Sequence, residues 1–258
     1  MVKNEERFTG KADVYKKFRT SYPKELIDYL YSQIGFSRDS TIADIGSGTG
    51  IFSRLLLERG SNVYCVEPND DMRQVAENEL RNFAGYKNFI SIKATAENTG
   101  LPEKSIDFIT AAISFHWFNR TAFSIECHRI LKDDGKVVLI YDIGDKTEFI
   151  KKYLDIWEKY RLDSKQPYIT GEPPEDIRNF FQNSVCDEMS FINDIVWSRD
   201  SFIGRVLSRS YSPTKNNNPN EYYGLINELG ILFDDYSIDG IINDPHFTKS
   251  YIGKVSGG

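Results

Sequence analysis

The chain has 258 residues, of which 40% are hydrophobic and 14% aromatic, which is enough to bury a full core in one elaborated domain and excludes a disordered chain. Its 38 Asp and Glu against 32 Lys and Arg give a net charge of -6, which excludes the global basic field that draws nucleic acid. Three scattered cysteines (Cys65, Cys127, Cys186) argue against a disulfide framework and against paired zinc spacing; they are read as small buried hydrophobes. The histidines His116, His128 and His246 have no ligand spacing, so no metal is expected. Met1 to Arg7 is polar, and no apolar run reaches the roughly eighteen residues of a membrane span. A soluble cytoplasmic protein with no membrane or nucleic-acid partner is the expectation.

Residues 1–40 carry two predicted helices, the second begun by Pro23, with Leu26, Ile27, Leu30 and Ile34 on one face. They are expected to form a lid over a glycine-rich turn at 46–50. A short apolar run, Thr41 to Ala43, leads into Asp44-Ile45-Gly46-Ser47-Gly48-Thr49-Gly50 and then a helical pattern. Glycines at 46, 48 and 50 permit a sharp strand-to-helix turn and close approach of a ligand to free N–H groups. A second apolar run, Val63 to Val66, closes on Glu67, where a carboxylate can accept two ribose hydroxyls. Phe89 to Lys93 reads as a third strand leading to Thr95-Ala96-Glu97. Ser105 to Ile109 reads as a fourth, running into Phe115-His116-Trp117-Phe118. A helix from about Arg120 to Lys132 is stopped by Asp134-Gly135, and Lys136 to Tyr141 forms the fifth strand.

From Thr147 the period is helical. Phe149, Ile150, Tyr153, Leu154, Trp157 and Tyr160 share one stripe, and Tyr222, Leu225, Ile226, Leu229, Leu232 and Phe233 share another. Between them Ser184 to Trp197 alternates like a strand, Pro213 to Pro219 reads as an exposed loop, and Phe247 to Ile252 reads as the last strand. The five strand–helix alternations predict a doubly wound, mostly parallel α/β sheet with its ligand at the strand C-termini. The predicted organisation is a helical lid at 1–40, a Rossmann-like core at 41–145, a mainly helical cap at 146–235 with one core strand near 184–197, and a final core strand within 236–258.

The glycine spacing separates two readings. A dinucleotide fingerprint needs a third glycine where this chain has Ser53, which disfavours an NAD-dependent oxidoreductase. Asp44-x-Gly-x-Gly-x-Gly with Glu67 closing the next strand resembles motifs I and II of the class I S-adenosylmethionine-dependent methyltransferases. His128 to Lys136 resembles the R-x-L-K-P-G-G connection of the small-molecule enzymes, with Asp133 and Asp134 at the usual Pro and Gly. Phe115-His116-Trp117 is similar to a segment of the trans-aconitate methyltransferase-like group, although Ile113 stands where that group often has Gln. Near the start, Tyr15, Arg19, Tyr22 and Pro23 resemble the same group's Y-x-x-x-R-P-x-Y-P, with Thr20 at the first Pro. Late in the chain, Ser210 to Pro213, Leu232 to Tyr236 and Thr248 to Gly253 match its C-terminal pattern, so the resemblance spans almost the whole sequence.

The resemblance implies a seven-stranded class I sheet and S-adenosylmethionine as cofactor, leaving S-adenosylhomocysteine. Gly46, Ser47, Gly48 and Gly50 would line the methionine part, with Asp44 orienting the turn, and Glu67 would fix the ribose. Pro68 and Met72 would cover the adenine, unless Met72 only packs its helix. Thr95, Ala96 and Glu97 would meet the adenine edge, with Ala112 closing the site; Thr95 stands where many relatives are acidic. His116 is the candidate base or substrate orienter, or a structural histidine. Tyr15, Tyr22 and Trp117 are candidate substrate contacts or lid and core packing. Arg19 would pair with a cofactor or substrate carboxylate. Arg209 with Tyr211 would meet an acidic substrate, unless Arg209 ends a helix in solvent.

The expected reaction is methyl transfer to a small molecule, either a carboxylate or another oxygen nucleophile such as a phenol, by a monomer or homodimer. A nonenzymatic S-adenosylmethionine-binding regulator is the alternative. The end of the fourth strand lacks the Asn-Pro-Pro-Tyr-type segment that holds a flipped base.

Overall fold

The computed structural model describes residues 8–81, 86–162, 173–175 and 177–255. Met1 to Arg7, part of the expected lid, lies outside the described residues. Five strands, β1 (Thr41–Ile45), β2 (Asn62–Val66), β3 (Phe89–Ile92), β4 (Ile106–Ala112) and β5 (Leu131–Gly144), pair in parallel in the order 3-2-1-4-5. Beyond β5 lies β9 (His246–Gly253), antiparallel to it, and β6 (Asp187–Ile192) pairs antiparallel with β9 at the edge. Among the described residues the sheet therefore has seven strands, mostly parallel, with helices on both faces: the class I, Rossmann-like arrangement. Ile42, Ala43 and Ile45 of β1 are fully buried, as the continuous apolar run of a strand covered on both faces requires.

Helices α3 (Ile51–Glu58) and α4 (Asp70–Arg81) follow β1 and β2, and α5 (Arg120–Ile130) precedes β5. The Asn119 side chain caps α5 by accepting the Ala122 N–H at 3.2 Å. One apolar core fills the α5 face of the sheet, with Phe115 and Phe123, and a second fills the opposite face, with Leu26, Leu30 and Leu56. The lid comprises α1 (Ala12–Phe18) and α2 (Lys24–Tyr29), the latter continuing as a wider turn to Ile34 that ends at Gly35, φ +100°. Pro23 is the N-cap of α2, one residue ahead of its first turn. All four residues of the predicted apolar stripe on this helix are buried.

Helix α6 (Glu148–Tyr160) is capped by Thr147, α7 (Arg199–Leu207) by a reciprocal Ser198–Ser201 box, and α8 (Pro219–Tyr236) begins with proline. Most of both predicted stripes pack together in a third core around Trp157, Phe202 and Leu229, with Ile150, Leu154, Tyr160 and Ile226 half-buried at its edge and Tyr222 outside it. The alternating stretch 184–197 is two strands: β6 joins the main sheet, whereas β7 (Ile195–Trp197) turns away and pairs with β8 (Ile242–Asp244). The helices thus arrive in two insertions, α6 between β5 and β6, and α7 with α8 between β7 and β8. Helix α5 is shorter than its sequence pattern predicts: backbone pairing with β4 already begins at Leu131, so the helix stops at Ile130.

No helix among the described residues is long and apolar enough to cross a membrane.

Candidate active site

The turn after β1 is built by geometry that only glycine meets cheaply. Gly46 has φ +66°, and a Cβ there would lie 2.6 Å from Ser114 Cβ. Gly48 has φ +56° with nothing within 4 Å of a built Cβ, so its backbone is open to the space in front of it. Gly50, φ +80°, is the N-cap of α3, and a Cβ there would press on Leu80 and Ala76 of α4. It therefore serves helix packing and does not line the cavity in front of the turn.

This cavity, about 770 Å³, lies over the C-terminal ends of β1, β2 and β4. Asp44, Gly46, Ser47 and Gly48 form one side, and Glu67, Pro68 and Met72 another. Thr95, Ala96, Glu97 and Ala112 close it, and Tyr15 and Tyr22 cover it from the lid. Glu67 is buried; its Oε2 accepts the Gly48 N–H at 2.9 Å and its Oε1 the Asn69 N–H at 2.8 Å. Burial raises its pKa, with the two backbone N–H groups pulling the other way. A carboxylate has about four lone-pair sites, so two more donors can be accepted. Met72 is both buried in the α4 packing and part of the cavity wall.

Asp44 lies beneath the turn. Its Oδ2 accepts the Ser53 hydroxyl at 2.5 Å and its Oδ1 the Thr110 hydroxyl at 2.8 Å. Burial lifts its pKa to about 6 against those two bonds. Ser53, where a dinucleotide fingerprint has glycine, is thus fully buried and used as a donor. Glu97 accepts the Asn119 N–H at 2.8 Å, tying the segment after β3 to the start of α5.

A second cavity, about 600 Å³, adjoins the first, and Phe8, Tyr15, Ile113 and Trp117 line both. Ile113 has φ +53°, a strained conformation for a β-branched residue, at the end of β4 on this shared wall. Arg19, His116, Arg209 and Tyr211 line the second cavity only. The Arg19 guanidinium lies 4.5 Å from the Tyr15 ring, and burial lowers its pKa to about 10. Arg209 lies over the Tyr153 and Trp157 rings and donates to the Tyr153 hydroxyl, so it is no solvent-facing helix end. Burial, aided by the Arg19 charge, holds the His116 imidazole down at about 4, which leaves it neutral at pH 7.

The lid is anchored on both sides. Lys11 Nζ donates to the carbonyls of Arg209, Ser210 and Ser212 at 2.8, 3.0 and 2.6 Å. On the α4 side the Gly10 N–H donates to Asp71 at 2.7 Å, and Lys16 pairs with Glu79.

Sequence reasoning missed Asp142, Arg205, Asp244 and His246, which also line the second cavity. Arg205 donates to Asp142 Oδ2 at 3.0 Å, and the Trp197 indole N–H donates to Asp244 Oδ2 at 2.8 Å. Asp142 carried a signal: like Asp44 and Glu67, it is an acid following an apolar strand run.

The same fold occurs in known proteins. Residues 43–139 match the methyltransferase domain family. That span holds β1 to most of β5, and hence every wall of the first cavity except the lid. The methyltransferase-domain match is accompanied by an uncharacterized methyltransferase of Mycobacterium bovis, 30% identical over 139 residues, 54% of this chain and 53% of the relative. The chain thus spans about half the length of that relative. A demethylmenaquinone methyltransferase of Tropheryma whipplei is 23% identical over 190 residues, 69% of this chain and 76% of its own. Among solved structures, a protein of Anaeromyxobacter dehalogenans assigned as a type II methyltransferase superposes with a TM-score of 0.64 at 19% identity, covering 93% of this chain and 100% of that one. A phosphoethanolamine N-methyltransferase of Haemonchus contortus, in complex with phosphomonomethylethanolamine and S-adenosylhomocysteine, superposes at 0.54 and 16% identity, covering 97% of this chain and 58% of that one. The fold is that of the class I methyltransferases.

Proposed function

We propose that this protein is an S-adenosylmethionine-dependent methyltransferase whose acceptor is a small acid, in the manner of the trans-aconitate methyltransferase-like group. The observation that carries the reading is the pair of cavities sharing the wall of Phe8, Tyr15, Ile113 and Trp117. One is floored by a glycine turn and a buried acid; the other is lined by arginines.

The residues of the first cavity suit the cofactor. Gly48 leaves its backbone open, and Ser47 Oγ and Thr49 Oγ1 are buried there without hydrogen-bond partners. Glu67 would accept the ribose hydroxyls, Pro68 and Met72 would cover the adenine, and Ala96 with Glu97 would meet its edge. Thr95 would meet the same edge, at a position where many enzymes of this kind carry an acid. When bound, S-adenosylmethionine supplies a methyl group already activated by its sulfonium.

The chain's own residues then have to align the acceptor and exclude water. Arg19 belongs to the acceptor side, since it lines the second cavity and not the first. With Arg209 it would hold an oxyanion through charge-assisted hydrogen bonds. Tyr15, Tyr22 and Trp117 would wall the transfer point from water. A carboxylate acceptor is already ionised and needs no base, and an imidazole held down at about 4 is a weak one, so His116 would serve as an orienter.

Transfer of a labelled methyl group from S-adenosylmethionine to a panel of small carboxylic acids tests the proposal. Ester formation is expected. Tight cofactor binding with no turnover on any acceptor class would instead indicate a nonenzymatic regulator.

A further inference from the structure

Among the described residues, four buried side-chain atoms without a hydrogen-bond partner belong to residues that line the second cavity: Arg19 Nε, His116 Nδ1, Asp142 Oδ1 and Asp244 Oδ1. Native interiors leave few such atoms, and each one left is costly unless something supplies a partner. Their chemistry divides by position. Arg19 and His116 belong to the lid and to the turn after β4, next to Tyr15 and Trp117 on the shared wall. Asp142 and Asp244 come from β5 and β8, which contribute no residue to the first cavity. Arg19 therefore supplies a free donor beside the shared wall, and the two acceptors stand on elements that serve the second cavity alone, with Asp142 in electrostatic reach of Arg19.

The two carboxylates are already partly balanced. Asp142 and Asp244 have side chains only 6% and 3% exposed. Each has its Oδ2 engaged, by Arg205 and by Trp197 respectively, with His246 Nδ1 a further 3.3 Å from Asp244 Oδ2. Desolvation pushes the His246 imidazole down, but Asp244 and Asp142 outweigh it and lift its pKa. A Cβ at Gly144 would lie 2.8 Å from the His246 ring, so the backbone there packs directly against it. Among the described residues the lining carries five Lys or Arg against three Asp. A neutral donor can satisfy an orphaned carboxylate oxygen while leaving this charge balance unchanged.

We propose that the acceptor is a hydroxy acid: its anionic group is held on the Arg19 side, and a hydroxyl remote from that group donates to Asp142 Oδ1 or Asp244 Oδ1. The inference rests on the reading that the second cavity holds the methyl acceptor. Asp142 and Asp244 are then specificity-determining residues, selecting the acid by what it carries at its other end.

The test is binding to the full-length protein, by saturation-transfer NMR and calorimetry, in the presence of S-adenosylhomocysteine. Three straight-chain series of increasing length are compared: unsubstituted acids, ω-hydroxy acids and ω-amino acids. At the best length the hydroxy acid is expected to bind at least about ten-fold more tightly than its unsubstituted and amino counterparts, the worth of one hydrogen bond to a charged group. Asp142→Ala and Asp244→Ala, if folded, are expected to remove that advantage; the comparison within the native protein stands without them. Equal or tighter binding of the unsubstituted or amino acids across the series, or binding of none of the three, would overturn the hydroxy-acid proposal. Failure of S-adenosylhomocysteine itself to bind would instead overturn the methyltransferase reading on which it rests.

Discussion

Glu67 Oε2 accepts the Gly48 N–H at 2.9 Å, so the acid that follows β2 and the middle glycine of the turn after β1 are a single hydrogen-bonded unit. Its other oxygen accepts the Asn69 N–H at the start of α4. Removing the carboxylate strands two backbone donors at once. Glu67→Ala is expected to lower stability by roughly 1–3 kcal/mol in urea unfolding, with Glu67→Gln retaining part of it. An unchanged midpoint in Glu67→Ala would show that the pair holds nothing together.

The two glycines of the turn should respond differently to the same change. Gly46→Ala combines a left-handed backbone with a Cβ pressed on Ser114, and is expected to cost roughly 2–4 kcal/mol. Gly48→Ala meets no neighbour, and should cost roughly 1–2 kcal/mol while intruding on the cavity and weakening cofactor binding. Denaturant unfolding and calorimetry on both variants separate the effects; equal loss of stability would contradict this assignment.

Asp44 should leave a mark on the pH dependence of stability. Burial lifts its folded pKa to about 6, above the ordinary value of 3.8, so the folded state retains a proton that the unfolded chain releases. Its contribution is complete below the unfolded pKa and is lost as pH rises through 6, about 3 kcal/mol in all. Asp44→Asn, which can still bond Ser53 and Thr110, carries no such dependence. Its stability relative to the native protein should rise by up to about 3 kcal/mol between about pH 4 and pH 7. A pH-independent difference would contradict it.

Arg19 and His116 are linked by charge. Burial is the first cause of the depressed imidazole pKa and Arg19 the second. Arg19→Gln is expected to move the His116 titration upward from about 4 without restoring the free value, as read by NMR of the ring protons. The depressed pKa also means that His116 contributes stability at neutral pH that falls away as pH drops from 6.5 towards 4, the opposite sense to Asp44. An unmoved titration in the variant would remove Arg19 from the neighbourhood of the imidazole.

The core was legible because its signals are local. Glycines that need positive φ, an acid at the end of an apolar run and the caps of helices all lie within a few residues of what they determine. Ser53 was readable only as a missing glycine, because its hydroxyl's partner, Asp44, is known only once β1 and α3 are packed. The stretch 184–197 alternates throughout, and nothing in its pattern marks where β6 leaves the main sheet; the split is decided by β8 and β9, some fifty residues later. The same closure brings Asp244 and His246 to Asp142 and Arg205. Four residues from β5, α7, β8 and β9 form one polar wall that no spacing announces.

The central claim is that the first cavity takes S-adenosylmethionine. Isothermal titration of the full-length protein with S-adenosylmethionine and S-adenosylhomocysteine, with NAD as comparison and Glu67→Ala as control, tests it most directly. Binding of the first two, weakened at least about ten-fold in Glu67→Ala and absent for NAD, is the predicted result; absence of S-adenosylmethionine binding, or a preference for NAD, would contradict it.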